Sequence, residues 1–158
     1  MSRRAIILGG GNVGNVEERL LAAERLIGER IGAVVGRSTM HTSEAWGFDA
    51  ARFTNCAFAV ESHLEAEEMI DRLLDIECEL GRDRRSEYRE KVLRGEAYAS
   101  RTIDLDIMLL GEECIVTPHL QIPHPKLLVR EFAMTPTAEV LGTTTEELEK
   151  IVKKIIER

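Results

Sequence analysis

The chain has 158 residues, 44% of them hydrophobic and 31% charged, which suits a single soluble domain, residues 1–158, with a real core. A net charge of -7, from 21 Lys and Arg against 28 Asp and Glu, argues against a general nucleic-acid binder, which presents a basic face. No apolar run approaches the roughly 20 residues of a membrane span, and Cys56, Cys78 and Cys114 form no CxxC pair, so neither a disulfide framework nor a zinc knuckle is suggested.

Two arginines and a short apolar run open the chain, and the run stops at three glycines, too soon for a secretory h-region. Residues 4–8 therefore read as a first strand leading into the loop GGGNVGN, and the protein is expected in the cytoplasm. Asn15 with Glu18 three positions on resembles a capping box. The helix that it opens carries Val16, Leu20, Ala23 and Ile27 on one buried face. Residues 33–41 read as a second strand. Residues 54–62 read as a third, in which Cys56, Phe58 and Val60 alternate with Asn55, Ala57 and Ala59. Residues 65–80 form a second helix with Met69, Leu73, Ile76 and Leu80 on one stripe and Gly81 as its stop.

The run 101–111, RTIDLDIMLLG, reads as a strand with Ile103, Leu105, Ile107 and Leu109 on one face and Thr102, Asp104, Asp106 and Met108 on the other. Short elements follow, then a terminal helix capped by Thr144 with Glu147. Its Leu148, Ile151, Val152, Ile155 and Ile156 fall at helical spacing. The order βαββαβ predicts an α+β fold of ferredoxin-like type, an antiparallel sheet with helices on one face. That fold hosts many functions and decides nothing about chemistry.

Charge is unevenly spread. Residues 82–101 hold seven basic and four acidic side chains, a net of +3 against -10 for the remainder. A cationic loop in an acidic protein points to a small polyanion such as a nucleotide. Asp104 and Asp106 lie roughly 6.5 to 7 Å apart as successive same-face residues of a strand. Two carboxylates so placed can each bind a hard cation, and a magnesium pair bridging nucleotide phosphates fixes an in-line attack. The plain alternative is a strand with one wet face, although Asp is a poor strand former. Arg82, Arg84, Arg85 and Arg101 flank the pair, and guanidinium groups make bidentate contacts with phosphate. A loop of about 20 residues in so small a domain is uncommon, and such loops often act as lids.

The third cluster is His119-Leu120-Gln121-Ile122-Pro123-His124-Pro125, with Arg130 and Phe132 beyond it. Two prolines predict a rigid, extended segment around His124. That histidine is either a phosphate donor or a structural residue. Arg130 can equally be a surface residue, and Phe132 a core one. Cys114, His119 and His124 recur at five-residue spacing, but neither a fourth ligand nor a paired spacing supports zinc.

Taken together, Gly10-Gly11-Asn12, Phe53-Thr54-Asn55, Glu77, Gly81-Arg82, RTIDLDIMLLG, IPHP, Arg130 and Phe132 resemble the 6-hydroxymethyl-7,8-dihydropterin pyrophosphokinase family of folate biosynthesis. The resemblance covers nearly the whole chain and implies a ferredoxin-like fold. The implied reaction transfers the terminal diphosphate of ATP to the pterin hydroxymethyl group, releasing AMP. Asp104 and Asp106 match the residues that hold two magnesium ions in the family, and Arg82 and Arg101 those that stabilise phosphate charge. Glu77, Arg84, Arg85, Ile107, Gln121, His124 and Arg130 fall where the family contacts ATP. Phe53 and Phe132 match the rings that clamp the pterin. Asn55 matches the amide that reads its polar edge, and Thr42, Ser43 and Ala45 the segment that completes the pocket. The segment between Arg85 and Arg101 is longer than in the best-known members and lacks their Trp-Gly-Pro lead-in. His119 stands where an ATP-binding arginine often sits, and Pro125 replaces a tyrosine of some members.

Expected partners are therefore small molecules, without nucleic acid or membrane, and the chain is expected to act as a monomer. Two rival readings remain at this level. A nucleotidyltransferase also uses an Asp pair, but places a glycine-led turn about ten residues before it, where this chain has only Gly95-Glu96. An RNA-binding sheet needs surface aromatics and a basic face, against 4% aromatics and a charge of -7.

Overall fold

The structure, a computed structural model, describes residues 2–43, 53–81 and 103–158. Its main sheet holds β1 (Arg3–Gly11), β2 (Ala33–Arg37), β3 (His41–Ser43), β4 (Phe53–Ser62) and β5 (Asp104–Leu110). Every pairing is antiparallel, in the order β2-β4-β1-β5, with β3 also on β4. With α1 (Val16–Arg30) after β1 and α2 (Ala66–Glu79) after β4, this is the ferredoxin-like arrangement. A two-stranded ribbon, β6 (Ile115–Val116) with β7 (Gln121–Ile122), follows β5.

The helix starts follow local chemistry. The Asn15 side chain accepts the Glu18 N–H and donates to the Glu18 carboxylate, while the Thr144 hydroxyl accepts the Glu147 N–H. Glycine in the left-handed region ends α2 at Gly81, φ 100°, where a side chain would be strained.

Two hydrophobic layers sandwich the sheet. Ile7, Phe58, Val60, Ile103, Leu105 and Ile107 pack against Leu20 and Ile27 of α1 and Met69, Leu73 and Ile76 of α2. Full burial of each such large side chain contributes about 1.5–3 kcal/mol relative to exposure. The opposite face carries Ile6, Leu8, Ala57 and Ala59, covered by α3 (Glu131–Leu141) and α4 (Thr145–Ile156) through Ala133, Ala138, Leu148, Val152 and Ile155. Helices thus lie on both faces, not on one, because the C-terminal pair adds a layer to the βαββαβ core. α3 is a full helix of 11 residues, where the sequence pattern suggests only short elements. Pro136 interrupts its spacing, and the stop at Gly142, φ 71°, was the available signal. On α4 only Leu148, Val152 and Ile155 are buried; Ile151 and Ile156 reach solvent.

Three local expectations are corrected. β1 continues through Gly9, Gly10 and Gly11 instead of ending at Leu8, because β4 and β5 pair with it on both sides. The strand expected over 33–41 breaks at Ser38, whose hydroxyl accepts the Ala57 N–H at 2.9 Å in place of a ladder bond. In β5, Leu109 leaves the face of Ile107. The register runs Ile7↔Ile107 and then Ile6↔Leu109, so Met108 is an extra residue, a bulge that inverts the alternation. Leu109 joins Ile6 and Leu8, and Leu110 takes the place beside Ile107.

Candidate active site

The second apolar layer stops at the row Ala57–Leu8–Asp106, and the next row is Asn55–Gly10–Asp104. Residues directly opposite in neighbouring strands point to the same face. Register alone therefore gathers an amide from β4 and two carboxylates from β5 around a glycine of β1. His41 extends the second row as the β3 partner of Asn55. Gly10 is required there: a Cβ would run into Asn55 Oδ1, so only glycine lets the amide lie across the strand. Gly10 was missed as a functional position, although glycines at a strand end mark a close approach.

Asn55 is only 3% exposed, and its Nδ2 has no hydrogen-bond partner among the described residues. A buried unsatisfied donor costs about 1–3 kcal/mol, so its persistence points to an acceptor supplied from outside. Phe53 lies two residues along the same strand face. Phe132, in the first turn of α3, packs against the same layer. Thr42 is exposed, with its hydroxyl 3.4 Å from that of Thr54, and the Ser43 backbone pairs with Phe53.

Asp104 and Asp106 flank Leu105 on β5, both half-buried. Among the described residues no group of three or more His, Cys, Asp or Glu converges on one point. Two carboxylates alone fit magnesium, which keeps several waters and takes phosphate oxygens for the rest of its shell. Beside them, along the free edge of β5, a cavity of about 250 Å³ is lined by Asp106, Ile107, His119, Gln121 and His124, with Ile70 and Thr117 added by the fold. The His124 N–H donates to the carbonyl of the bulged Met108 at 3.0 Å, which moors this segment to β5.

The segment is not extended around His124. The Ile122–Pro123 bond is cis, and Leu127 N–H bonds back to the His124 carbonyl at 3.1 Å, making a turn. His124 Nδ1 accepts the Lys126 N–H at 3.1 Å, so the neutral ring carries its proton on Nε2 as a donor. Burial pushes the imidazole below its usual value and the Lys126 ammonium adds to this; the Asp104 carboxylate acts in the opposite sense. Arg130 sits at the N-cap of α3, at the far end of the same turn.

Glu77 is 2% exposed, and its carboxylate accepts the Leu105 N–H at 2.7 Å. Among the described residues β5 is the last strand of the sheet, and Glu77 satisfies an N–H on the side away from β1. The bond falls between the two aspartates and braces the backbone that carries them. Glu77→Ala is expected to lower unfolding free energy by about 1–3 kcal/mol in urea titration, and Glu77→Gln, which keeps an acceptor, by less. Equal losses for both would show that the bond is not the source. Ala45, Arg82, Arg84, Arg85 and Arg101 lie outside the described residues.

Comparison with known proteins identifies the family. The family model described as 7,8-dihydro-6-hydroxymethylpterin-pyrophosphokinase matches residues 6–142. A Porphyromonas gingivalis protein named 2-amino-4-hydroxy-6-hydroxymethyldihydropteridine pyrophosphokinase is 32% identical over 133 residues, 83% of this chain and 86% of that one. A Bacillus subtilis protein of the same name is 33% identical over 149 residues, 93% and 83% of the two chains. Among solved structures, a wild-type HPPK-DHPS chain of Plasmodium falciparum with pteroate superposes with a TM-score of 0.62 at 12% identity, and this likeness speaks to the fold alone. It covers 100% of this chain, which spans 46% of that longer one. Among the described residues no helix is long and apolar enough to cross a membrane. On the matched family model and these relatives, the chain belongs to the 7,8-dihydro-6-hydroxymethylpterin-pyrophosphokinase family.

Proposed function

We propose that this chain is an ATP-dependent diphosphotransferase that passes the terminal diphosphate of ATP to 6-hydroxymethyl-7,8-dihydropterin, giving AMP and the pterin diphosphate for folate biosynthesis. The observation that carries the reading is the row Asn55–Gly10–Asp104. It sets an unsatisfied amide donor beside a carboxylate pair on one sheet face. An amide can meet both a donor and an acceptor on a pterin edge, and a flat ring system stacks well between Phe53 and Phe132.

Asp104 and Asp106 would hold the magnesium, two ions in this proposal. When bound, the metal neutralises phosphate charge and fixes its geometry. Ile107, Gln121 and His124 line the adenosine-triphosphate side, with the His124 Nε2–H as a donor to phosphate. Arg130 and the cationic run of Arg82, Arg84, Arg85 and Arg101 balance the remaining negative charge. Glu77 serves the nucleotide by steadying β5. The pterin hydroxyl oxygen attacks the β-phosphorus in line and gives up its proton to solvent, the bond from the β-phosphorus to the α,β-bridging oxygen breaks, and AMP departs with that oxygen. Positioning and charge stabilisation supply the rate, with no covalent enzyme intermediate.

Incubation with ATP, magnesium and hydroxymethyl-dihydropterin, followed by mass spectrometry, tests the reading. AMP and a pterin diphosphate are expected in equal amounts. Release of pyrophosphate instead would identify a nucleotidyltransferase, and no turnover with the pterin would refute the substrate.

A further inference from the structure

One polar cluster stands outside both proposed substrate contacts. On α3, one Glu139 carboxylate oxygen accepts the Thr39 N–H at 2.5 Å, and the other takes the Thr39 hydroxyl at 2.9 Å and His41 Nε2 at 2.8 Å. Thr39 Oγ1 and His41 Nε2 are themselves 3.2 Å apart. Thr39 lies in the break between β2 and β3, where its N–H has no ladder partner, and Glu139 satisfies it from about a hundred residues away. These donors, the Thr39 N–H foremost, hold the Glu139 carboxyl below the usual carboxylate range, so it is ionised at neutral pH.

The cluster is placed to matter for binding. His41 is the strand partner of Asn55, and β3 runs on to Ser43, opposite Phe53. Glu139 is seven residues, two turns, beyond Phe132, so both project from one face of α3. The tie therefore joins the helix that bears one aromatic wall to the strand pair that bears the other wall and the amide. We propose that Glu139 is a positioning residue for the pterin pocket, holding α3 to Thr39 and His41 and thereby setting the gap between Phe132 and the Phe53–Asn55 strand. The inference rests on the pterin reading above and adds to it the residue that fixes the width of the slot.

The test measures binding of 6-hydroxymethylpterin by fluorescence and of a non-hydrolysable ATP analogue by calorimetry, on wild type, Glu139→Ala, Glu139→Gln, His41→Ala and the Glu139→Ala/His41→Ala double variant. Glu139→Ala is expected to weaken the pterin about tenfold, the scale of a contact displaced by a fraction of an ångström, while ATP affinity changes less than about twofold. Glu139→Gln retains acceptor oxygen and falls between wild type and Ala. His41→Ala adds little in the Glu139→Ala background, because both act through one tie. Unchanged pterin affinity in Glu139→Ala overturns the inference, as does equal weakening of both ligands with a lowered Tm. A wild type that binds ATP but not the pterin overturns the substrate reading itself, a failure visible before any variant is made.

Discussion

Asp104→Asn and Asp106→Asn, each made alone, are expected to lower kcat at least about a thousandfold while the protein stays folded. Asparagine keeps the shape of the side chain and one oxygen but loses the charge that attracts a hard divalent cation. Metal stabilisation of a phosphoryl transition state is worth several kcal/mol, and each 1.36 kcal/mol is a factor of ten in rate. Both side chains are half-buried at the margin of the second apolar layer, and β5 is held by β1 along one edge and by Glu77 on the other. Tm is expected to shift by a few degrees at most, with the apparent magnesium requirement rising sharply. Near-normal turnover in either variant would remove the metal site from that strand.

Asn55→Ala is expected to separate binding from stability in the opposite way to most buried substitutions. Truncating a buried polar side chain that is bonded within the protein leaves its partners orphaned and costs stability. Here the Nδ2 donor has no partner among the described residues, so its loss removes an existing penalty of about 1–3 kcal/mol, offset by the void left behind. Chemical denaturation should find the variant within about 1 kcal/mol of wild type on that balance. Pterin affinity should fall about 10- to 100-fold, because a site built to bond a polar edge discriminates strongly once the bond is lost. A large stability loss with unchanged pterin affinity would make Asn55 a structural residue and leave the amide without a ligand.

Much of the site was legible along the chain. Period-two alternation placed Asp104 and Asp106 on one face of a strand, and the polar-apolar pattern placed Asn55 opposite Phe58. Capping chemistry located the starts of α1 and α4 at Asn15 and Thr144. These are local properties, decided by neighbours within about one helical turn or two strand residues, and the residues themselves state them. The resemblance carried by RTIDLDIMLLG and IPHP named the same aspartates and Asn55 as site residues.

Other features needed the whole fold. The bulge at Met108, which moves Leu109 to the other core, exists only in the register between β1 and β5. Gly10 is obligatory because β4 lays Asn55 across it. Glu77, which the pattern of α2 places beside Ile76, meets the Leu105 N–H only because that helix packs against β5. Helix α3 forms despite Pro136 because the face of Ala57 and Ala59 is there to receive it. The tie from Glu139 to Thr39 and His41 joins residues 100 and 98 positions apart in the chain. Spacing along the chain sets the faces of Asp104, Asp106 and Asn55 and marks them as candidates for the chemistry, since local alternation needs only near neighbours. Tertiary structure alone decided which faces meet, because strand register and helix packing are settled by contacts between residues far apart in the chain.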